Sequence, residues 1–569
     1  MLVLMNELAT RAGVPVATVA RAKKAEFGDL QINAAMQLAK AEGKPPREIA
    51  QRIVDAIKEH PAVGRAEIAG PGFVNVFVRD AWLAANAGSA LALRDVAAGK
   101  RVVIDYSSPN VAKPMHIGHI RSTIIGDAIK RALRAVGYEV VADNHLGDWG
   151  TQFGKLIVAY RKWVDAAAFA EDPVAELLRL YIKFQEESKT KEDDELEGAT
   201  PLLQEARAEL VKLQQGDAAN RALWQTFVDV SMKEFERVYR RLGVEFDVVL
   251  GESFYNDRLA DTVKLLVDKG IAEPSQGALV VFFKKPDGTD EMTPALVRKG
   301  DGGFNYTTTD VAGVLYRVDR WSPARIIVLT DERQQLHFRQ LFAIARRLGV
   351  TCSLEHVWFG LMRLPEGTIS TREGKLIHLE ALLDEAETRA LAVARQAQES
   401  REPADRLDER ELPAVARVVG IGAVKYNDLS KDRQTLVTFT WDKALSLSGN
   451  SGPYLQYAYA RIQSILRKAQ VEGAEPGAIG ALLPSERTLL TKVYDYGAAV
   501  EAVAAQTRPH LLCDYLYDLA GAFSTFYGEH QVLKAEPAVR ASRLQLCALT
   551  ARALHDGLAL LGIEVLERM

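Results

Sequence analysis

Several things are scarce in this sequence, and each shortage removes a class of protein. Its 569 residues include 3 cysteines, Cys352, Cys513 and Cys547. They lie far apart, without the paired spacing of a zinc site or the even set of a disulfide framework. A reducing compartment fits, and structural zinc does not. Positive charge is not in excess either: the formal net charge is −4, which argues against binding nucleic acid through overall charge. Any basic surface has to be local. No run of about 20 uncharged apolar residues occurs, and the opening Met-Leu-Val-Leu-Met is too short and too poor in basic flank for a signal peptide. A cytoplasmic protein with no membrane contact is expected. No nucleophile elbow or hydrolase triad is found.

What is present is ordinary in bulk, with 48% hydrophobic and 26% charged residues, so a large core is available and disorder is not indicated. The length calls for three or four units at roughly 100–200 residues each. Residues 1–95 mix helical stretches such as Pro46 to Ile57 with the strand-like Gly72 to Val78, and read as a small α+β domain. From Arg101 the pattern changes to a buried parallel-type strand, Val102-Val103-Ile104-Asp105-Tyr106, then a Ser/Pro/Asn loop, then a long helix. That helix repeats Ile117, Ile120, Ile124, Ala128, Ala132 and Val136 on one side and stops at Gly137. With a second strand at Glu139 to Ala142 this makes a βαβ unit, the opening half of a Rossmann-like, doubly wound parallel sheet. The sheet domain spans 96–412. Its second half begins with strands at Gly277 to Phe283 and Arg325 to Leu329. Residues 160–245 read as a charged helical insertion, most polar at Lys189 to Glu197, with a solvated surface hairpin as the plain interpretation. From 413 to 569 only helical spacing is found, giving an all-α bundle domain.

The most informative stretch is Ser107-Ser108-Pro109-Asn110-Val111-Ala112-Lys113-Pro114-Met115-His116-Ile117-Gly118-His119, between the first strand and the first helix. In open parallel sheets ligands sit beyond the carboxyl ends of strands, and a helix N-terminus there offers free amides and a positive dipole end to phosphate. His116 and His119 share one helix face, and Gly118 lets a nucleotide approach the backbone. Taken alone, the four-residue pattern could equally be a pair of helix-start histidines.

In its setting the stretch resembles the HIGH signature of class I aminoacyl-tRNA synthetases. The longer string, with Arg121-Ser122-Thr123 and Asn144 to Gly154, is similar to the arginyl family in particular. A counterpart of the second signature, the KMSKS loop, is Thr368 to Lys375, with Thr368 where the first lysine would stand. The resemblance implies that Lys113 takes over that charge. Standing alone, this loop could be an exposed basic turn.

Arginine-tRNA ligation is the activity this resemblance implies: L-arginine is activated by ATP, with Mg²⁺ on its phosphates, to arginyl-adenylate. The arginyl group then passes to the 3′-terminal ribose of tRNA(Arg), with AMP and pyrophosphate released. Such chemistry needs positioning and positive potential rather than a covalent nucleophile. Those roles fall to His116, His119, Lys113, Arg372 and Lys375, with Gly118 and Ser370 also at the nucleotide. A substrate guanidinium calls for carboxylates and an aromatic face. By similarity to the family, Asp105 and Asp310 hold it, Tyr306 packs on it, and Asn110 and Gln334 take the α-ammonium and carboxylate. Without the family, Asp310 reads as a helix N-cap, and His337 and His145 stay open between site and core.

Tyr454 and Arg461, in an aromatic stretch suited to base stacking or to helix packing, match positions expected near the tRNA, and Gln31 lies in a region similar to the family's tRNA-elbow domain. A monomer is expected by analogy. Three rivals remain. A synthetase for another amino acid is disfavoured by Asp105, Tyr306 and Asp310, and a small nucleotidylyltransferase by the helical C-terminal unit. A catalytically dead tRNA-binding paralogue is disfavoured by the intact His116, Gly118, His119 and Asp310.

Overall fold

The computed structural model describes residues 1–188, 200–300, 302–364, 378–399 and 406–569. At the N-terminus, alternation in Phe73-Val74-Asn75-Val76-Phe77-Val78 sends Val74, Val76 and Val78 into a core, as a half-buried strand requires. Strands β1 (Val19–Arg21), β2 (Leu30–Ile32), β3 (Val63–Ala69) and β4 (Phe73–Val78) form an antiparallel sheet in the order β1-β2-β4-β3. The helices Leu2–Ala12, Ala35–Glu42 and Pro46–Ile57 accompany it.

Val102, Val103 and Ile104 are all fully buried, so β5 (Arg101–Asp105) is apolar on both faces and sits mid-sheet. β6 (Glu139–Asn144) and β7 (Val248–Val249) follow on one side, all parallel. The helix Ile117–Ala135 crosses between β5 and β6, and the chain turns at Gly137 with φ +95°.

Three further strands, β8 (Glu273–Ser275), β9 (Ala278–Lys284) and β10 (Asp290–Arg298), form a separate antiparallel sheet. This corrects the expectation that Gly277 to Phe283 opens the second half of the parallel sheet. The reason is periodicity: Leu279, Val281 and Phe283 are buried while the residues between them are not, the pattern of a strand covered on one face only. The parallel sheet resumes with β11 (Arg325–Val328) and β12 (Ser353–His356), giving the order β12-β11-β5-β6-β7.

The expected insertion is helical: Thr151–Trp163, Ala166–Glu171, Pro173–Ser188, Pro201–Gln214 and Ala218–Leu242. Its polar run, Lys189 to Glu197, lies outside the described residues. After 413 the chain is almost wholly helical, with a two-residue exception the sequence did not suggest: β13 (Met362–Arg363) pairs with β14 (Val437–Thr438). The N-terminal sheet docks on this helical part through Arg487, which donates to Asp29 at 2.9 and 3.0 Å and to Asp80 at 2.6 Å. No helix among the described residues is long and apolar enough to cross a membrane.

Candidate active site

The loop after β5 is held in an unusual backbone conformation. Ser107, Ser108 and Ala112 have φ of 74°, 51° and 64°, a left-handed region that L-residues enter at a cost of about 1–3 kcal/mol each. Side chains hold each of them there. Ser107 N–H donates to Ser122 Oγ at 2.9 Å, Ser108 N–H to Asn144 Oδ1 at 3.0 Å, and Ala112 N–H to Ser231 Oγ at 2.9 Å. Asn110 lies between them, pressed on Gly147, where an added Cβ would come within 2.1 Å of its Oδ1. A side chain at 147 would therefore push the Asn110 amide out of place.

The loop ends in a reciprocal cap. His116 is the N-cap of the helix Ile117–Ala135: its Nδ1 accepts from Gly118 N–H at 3.0 Å, while His119 Nδ1 accepts from His116 N–H at 3.1 Å. The two rings sit 4.0 Å apart. Because each Nδ1 is an acceptor, each neutral ring carries its proton on Nε2. Burial, then His116 and Lys113 nearby, lower the His119 pKa to about 3. His119 is therefore a neutral N–H donor at any physiological pH, set at the positive end of a helix. The ammonium of Lys113 lies over the ring of Tyr181, 4.7 Å from its centroid.

Of the second basic element, Ser370, Arg372 and Lys375 lie outside the described residues, as does Thr368. Both flanks of that segment are tied to the same helix. Arg121, buried, donates to Thr435 O at 3.1 Å and to Gly360 O, and pairs with Asp428 at 2.9 Å. On the other side His378 bridges to His116, and Leu379 N–H donates to Met115 O at 2.8 Å.

Across the sheet's carboxyl edge stands a cluster of acidic groups. Asp105, at the end of β5, does not face open space: Arg317 Nη2 donates to its Oδ2 at 2.6 Å and Ser108 Oγ to its Oδ1 at 2.9 Å. Arg317 also reaches Asp143 Oδ2 at 2.8 Å. Burial disfavours the Arg317 charge, but Asp105 and Asp143 outweigh it and hold the guanidinium protonated. The protein thus already places one guanidinium against the carboxylate expected to bind another.

Asp310 lies in the second turn of the helix Tyr306–Trp321, whose N-cap is Asn305, so the N-cap alternative for Asp310 is overturned. Its Oδ2 accepts from His337 Nε2 at 2.6 Å, and the Tyr306 ring lies edge-on to His337 at 4.8 Å. Tyr306 is 60% exposed, which leaves its face open to a ligand. Gln334, also exposed, precedes the helix Gln335–Arg347 that carries His337.

Glu252 belongs to the same electrostatic cluster, and sequence reasoning missed it. Burial, with Asp310 and Asp148 adding to it against His145, pushes its carboxyl up to about 7. Its position is set by Asp148, which accepts from Ser253 N–H at 2.8 Å and Ser253 Oγ at 2.6 Å. Gly251 permits that approach, since a Cβ there would lie 2.3 Å from Asp148 Oδ2. His145 answers to the same groups: burial and Arg317 oppose its protonation, yet Asp105, Asp310 and Glu252 raise its pKa overall. No motif marks Glu252 or Arg317, and the only available signal was Gly251 just past the insertion.

The remaining expected residues lie elsewhere. Gln31 donates to Asn75 Oδ1 at 2.8 Å within the N-terminal sheet. Tyr454 packs against Tyr517 at 5.8 Å, and Arg461 lies over Tyr527 at 4.5 Å, both within the helical domain.

Known proteins match this chain over nearly its whole length. The family model described as tRNA synthetases class I (R), catalytic domain, covers residues 86–441. The arginyl tRNA synthetase N terminal domain model covers 6–78, and the DALR anticodon binding domain model covers 455–569. An arginine--tRNA ligase of Fusobacterium nucleatum is 44% identical, over 95% of this chain and 94% of that protein.

The chain belongs to the arginyl-tRNA synthetase family. It is an arginine--tRNA ligase by that membership, a class I enzyme charging tRNA(Arg) with arginine at the expense of ATP. The solved arginyl-tRNA synthetase of Thermus thermophilus is 25% identical with a TM-score of 0.81, over 99% of this chain and 98% of that one. That of Plasmodium falciparum is 26% identical with a TM-score of 0.77, over 100% and 98%. The α/β sheet domain with helical C-terminal part is the architecture shared with these arginyl enzymes.

Proposed function

We propose that the paired histidines and the acidic cluster divide the first half-reaction between them. The arginine side chain lies with its guanidinium toward Asp310 and Glu252, its aliphatic part against Tyr306, and its α-ammonium and carboxylate at Asn110 and Gln334. Asp105 contributes from behind, through the field it shares with Arg317. The substrate carboxylate then attacks the α-phosphorus of ATP in line, the bond to the β-phosphate oxygen breaks, and pyrophosphate leaves. His116 and His119 donate Nε2–H to the phosphate oxygens where charge gathers, Gly118 lets the nucleotide reach the backbone, and Ser370 is assigned to nucleotide binding. Lys113, Arg372 and Lys375 neutralise the departing pyrophosphate. Mg²⁺ would arrive on the triphosphate, whose hard oxygens suit it. In the second half-reaction a terminal ribose hydroxyl of tRNA attacks the arginyl carbonyl and AMP departs.

The observation that carries this reading is the Asp310 carboxylate held by His337 beside the exposed ring of Tyr306, together with a helix start whose two histidines turn both Nδ1 atoms to backbone amides. We further assign residues 1–95 to the tRNA elbow through Gln31, 96–412 to catalysis, and 413–569 to the anticodon, with Tyr454 and Arg461 on the tRNA side of that domain. The enzyme works as a cytoplasmic monomer. The test is tRNA-supported ATP–pyrophosphate exchange by Asp310→Ala. An arginine KM raised with ATP KM unchanged supports the pocket, and an untouched arginine KM removes it.

A further inference from the structure

The last helix of the insertion, Ala218–Leu242, reaches into the active site from behind. Its Tyr239 and Ser231 are buried, 5% and 0% exposed, and both turn their hydroxyls to the strained loop. Tyr239 OH lies 2.8 Å from Ser107 Oγ and accepts from Asn144 Nδ2 at 3.1 Å, while Ser231 Oγ accepts from Ala112 N–H. Every left-handed residue of the loop is therefore held by this helix, directly or through Asn144.

The direction of the bonding is fixed by its two ends. Asn144 Nδ2 can only donate, and its Oδ1 is taken by Ser108 N–H. The Tyr239 hydroxyl must then donate to Ser107 Oγ, Ser107 to Thr123 Oγ1 at 2.8 Å, and Thr123 to the carbonyl of His119 at 2.8 Å. A single-file chain of hydroxyls thus runs from the insertion to the backbone carbonyl of His119, in the first turn of the helix. Ser231 completes the clamp on the far side of Asn110, donating in turn to Phe227 O at 2.7 Å.

We propose that Tyr239 and Ser231 are positioning residues for arginine activation, holding the Ser107–Ala112 loop so that Asn110 and His119 face the reacting groups. The helix is thereby part of the site's supporting frame rather than a solvated hairpin. This rests on the assignment of Asn110 and His119 above, which Asn110→Ala tests separately: a silent Asn110→Ala sinks that assignment and the proposal with it.

The experiment is exchange and charging kinetics on Tyr239→Phe and Ser231→Ala, with Phe227→Leu as a control. Phe227 packs on Tyr160 at 5.4 Å and its side chain takes no part in the hydroxyl chain. Each hydroxyl variant is expected to lose roughly tenfold to a hundredfold in kcat/KM for arginine, the scale of a small misplacement of reacting groups, with tRNA KM unchanged. Phe227→Leu should lower the melting temperature while keeping kcat/KM. Wild-type kcat/KM in the folded hydroxyl variants overturns the proposal, as does an equal kinetic loss in Phe227→Leu at equal loss of melting temperature. If Tyr239→Phe does not fold, Ser231→Ala decides by the same criterion.

Discussion

The two walls of the proposed active site are built on opposite principles. The proposed phosphate wall is one contiguous stretch, Ser107 to His119, whose backbone amides are held by side chains, Ser122, Asn144 and Ser231 on the loop and the two histidines at the helix start, and whose histidine His119 is kept neutral. The proposed arginine wall gathers Asp105, Asp143, Glu252, Asp310 and Arg317 from distant parts of the chain and balances them by charge. Geometry guards the first wall and electrostatics the second. Substitutions should therefore fail differently on the two sides.

Arg317→Met is the harshest way to separate them. It strands the carboxylates of Asp105 and Asp143 in the interior, and removing one partner of such a buried set costs about 3–5 kcal/mol. Urea denaturation should show a clearly lowered midpoint. An unchanged midpoint would mean that the buried ion set is not what holds this wall. Asp310→Ala comes next, with kcat/KM for arginine down roughly a hundredfold or more, the scale of truncating one member of a desolvated charge pair. The loss should lie in arginine KM, and a pure kcat effect would move Asp310 out of the pocket.

On the phosphate wall, His119→Ala should lower kcat about a hundredfold, as losing one preorganised donor does, with arginine KM nearly constant. A rise in arginine KM of similar size would erase the distinction between the walls. The gentlest probe is pH. Glu252 has its pKa raised to about 7, so it binds a proton in the free enzyme below that pH. A cationic side chain favours the ionised form, so arginine binding expels the proton, and arginine KM should rise by up to about tenfold from pH 8 to pH 6. His119, lowered to about 3, stays neutral over that range and should add no step to kcat. In the linkage of stability to pH the sign is fixed. A carboxyl raised above its unfolded value favours folding when protonated, so Glu252 stabilises at low pH and loses that contribution as pH rises from the unfolded carboxyl value through about 7.

The difference between the walls also explains what could be read from the sequence. The loop is legible because its residues are adjacent, and strand, loop and helix are each marked by local pattern. The histidine spacing even foreshadows the reciprocal cap seen at His116 and His119. The doubly wound sheet was legible around β5 for the same reason, but β9 was misplaced because an apolar run tells little about whether both faces or one is covered. Asp310 was named only through the family, and its position inside a helix rather than at its cap came from the structure. Glu252 and Arg317 were invisible, since a buried charge is explained only by partners far along the chain. Tyr239 and Ser231 were hidden likewise: in a polar helix two hydroxyls look like surface until the loop they hold is in place.

The most direct test of the account compares arginine with citrulline, in which a neutral urea replaces the guanidinium at nearly the same shape. The quantity is the ratio of their kcat/KM values in tRNA-supported exchange, for the parent enzyme and for Asp310→Asn. The account predicts that the substitution collapses the ratio, with arginine losing most of its advantage and citrulline nearly unmoved. A ratio that survives Asp310→Asn would contradict it, because discrimination would then rest on something other than the charge of the acidic wall.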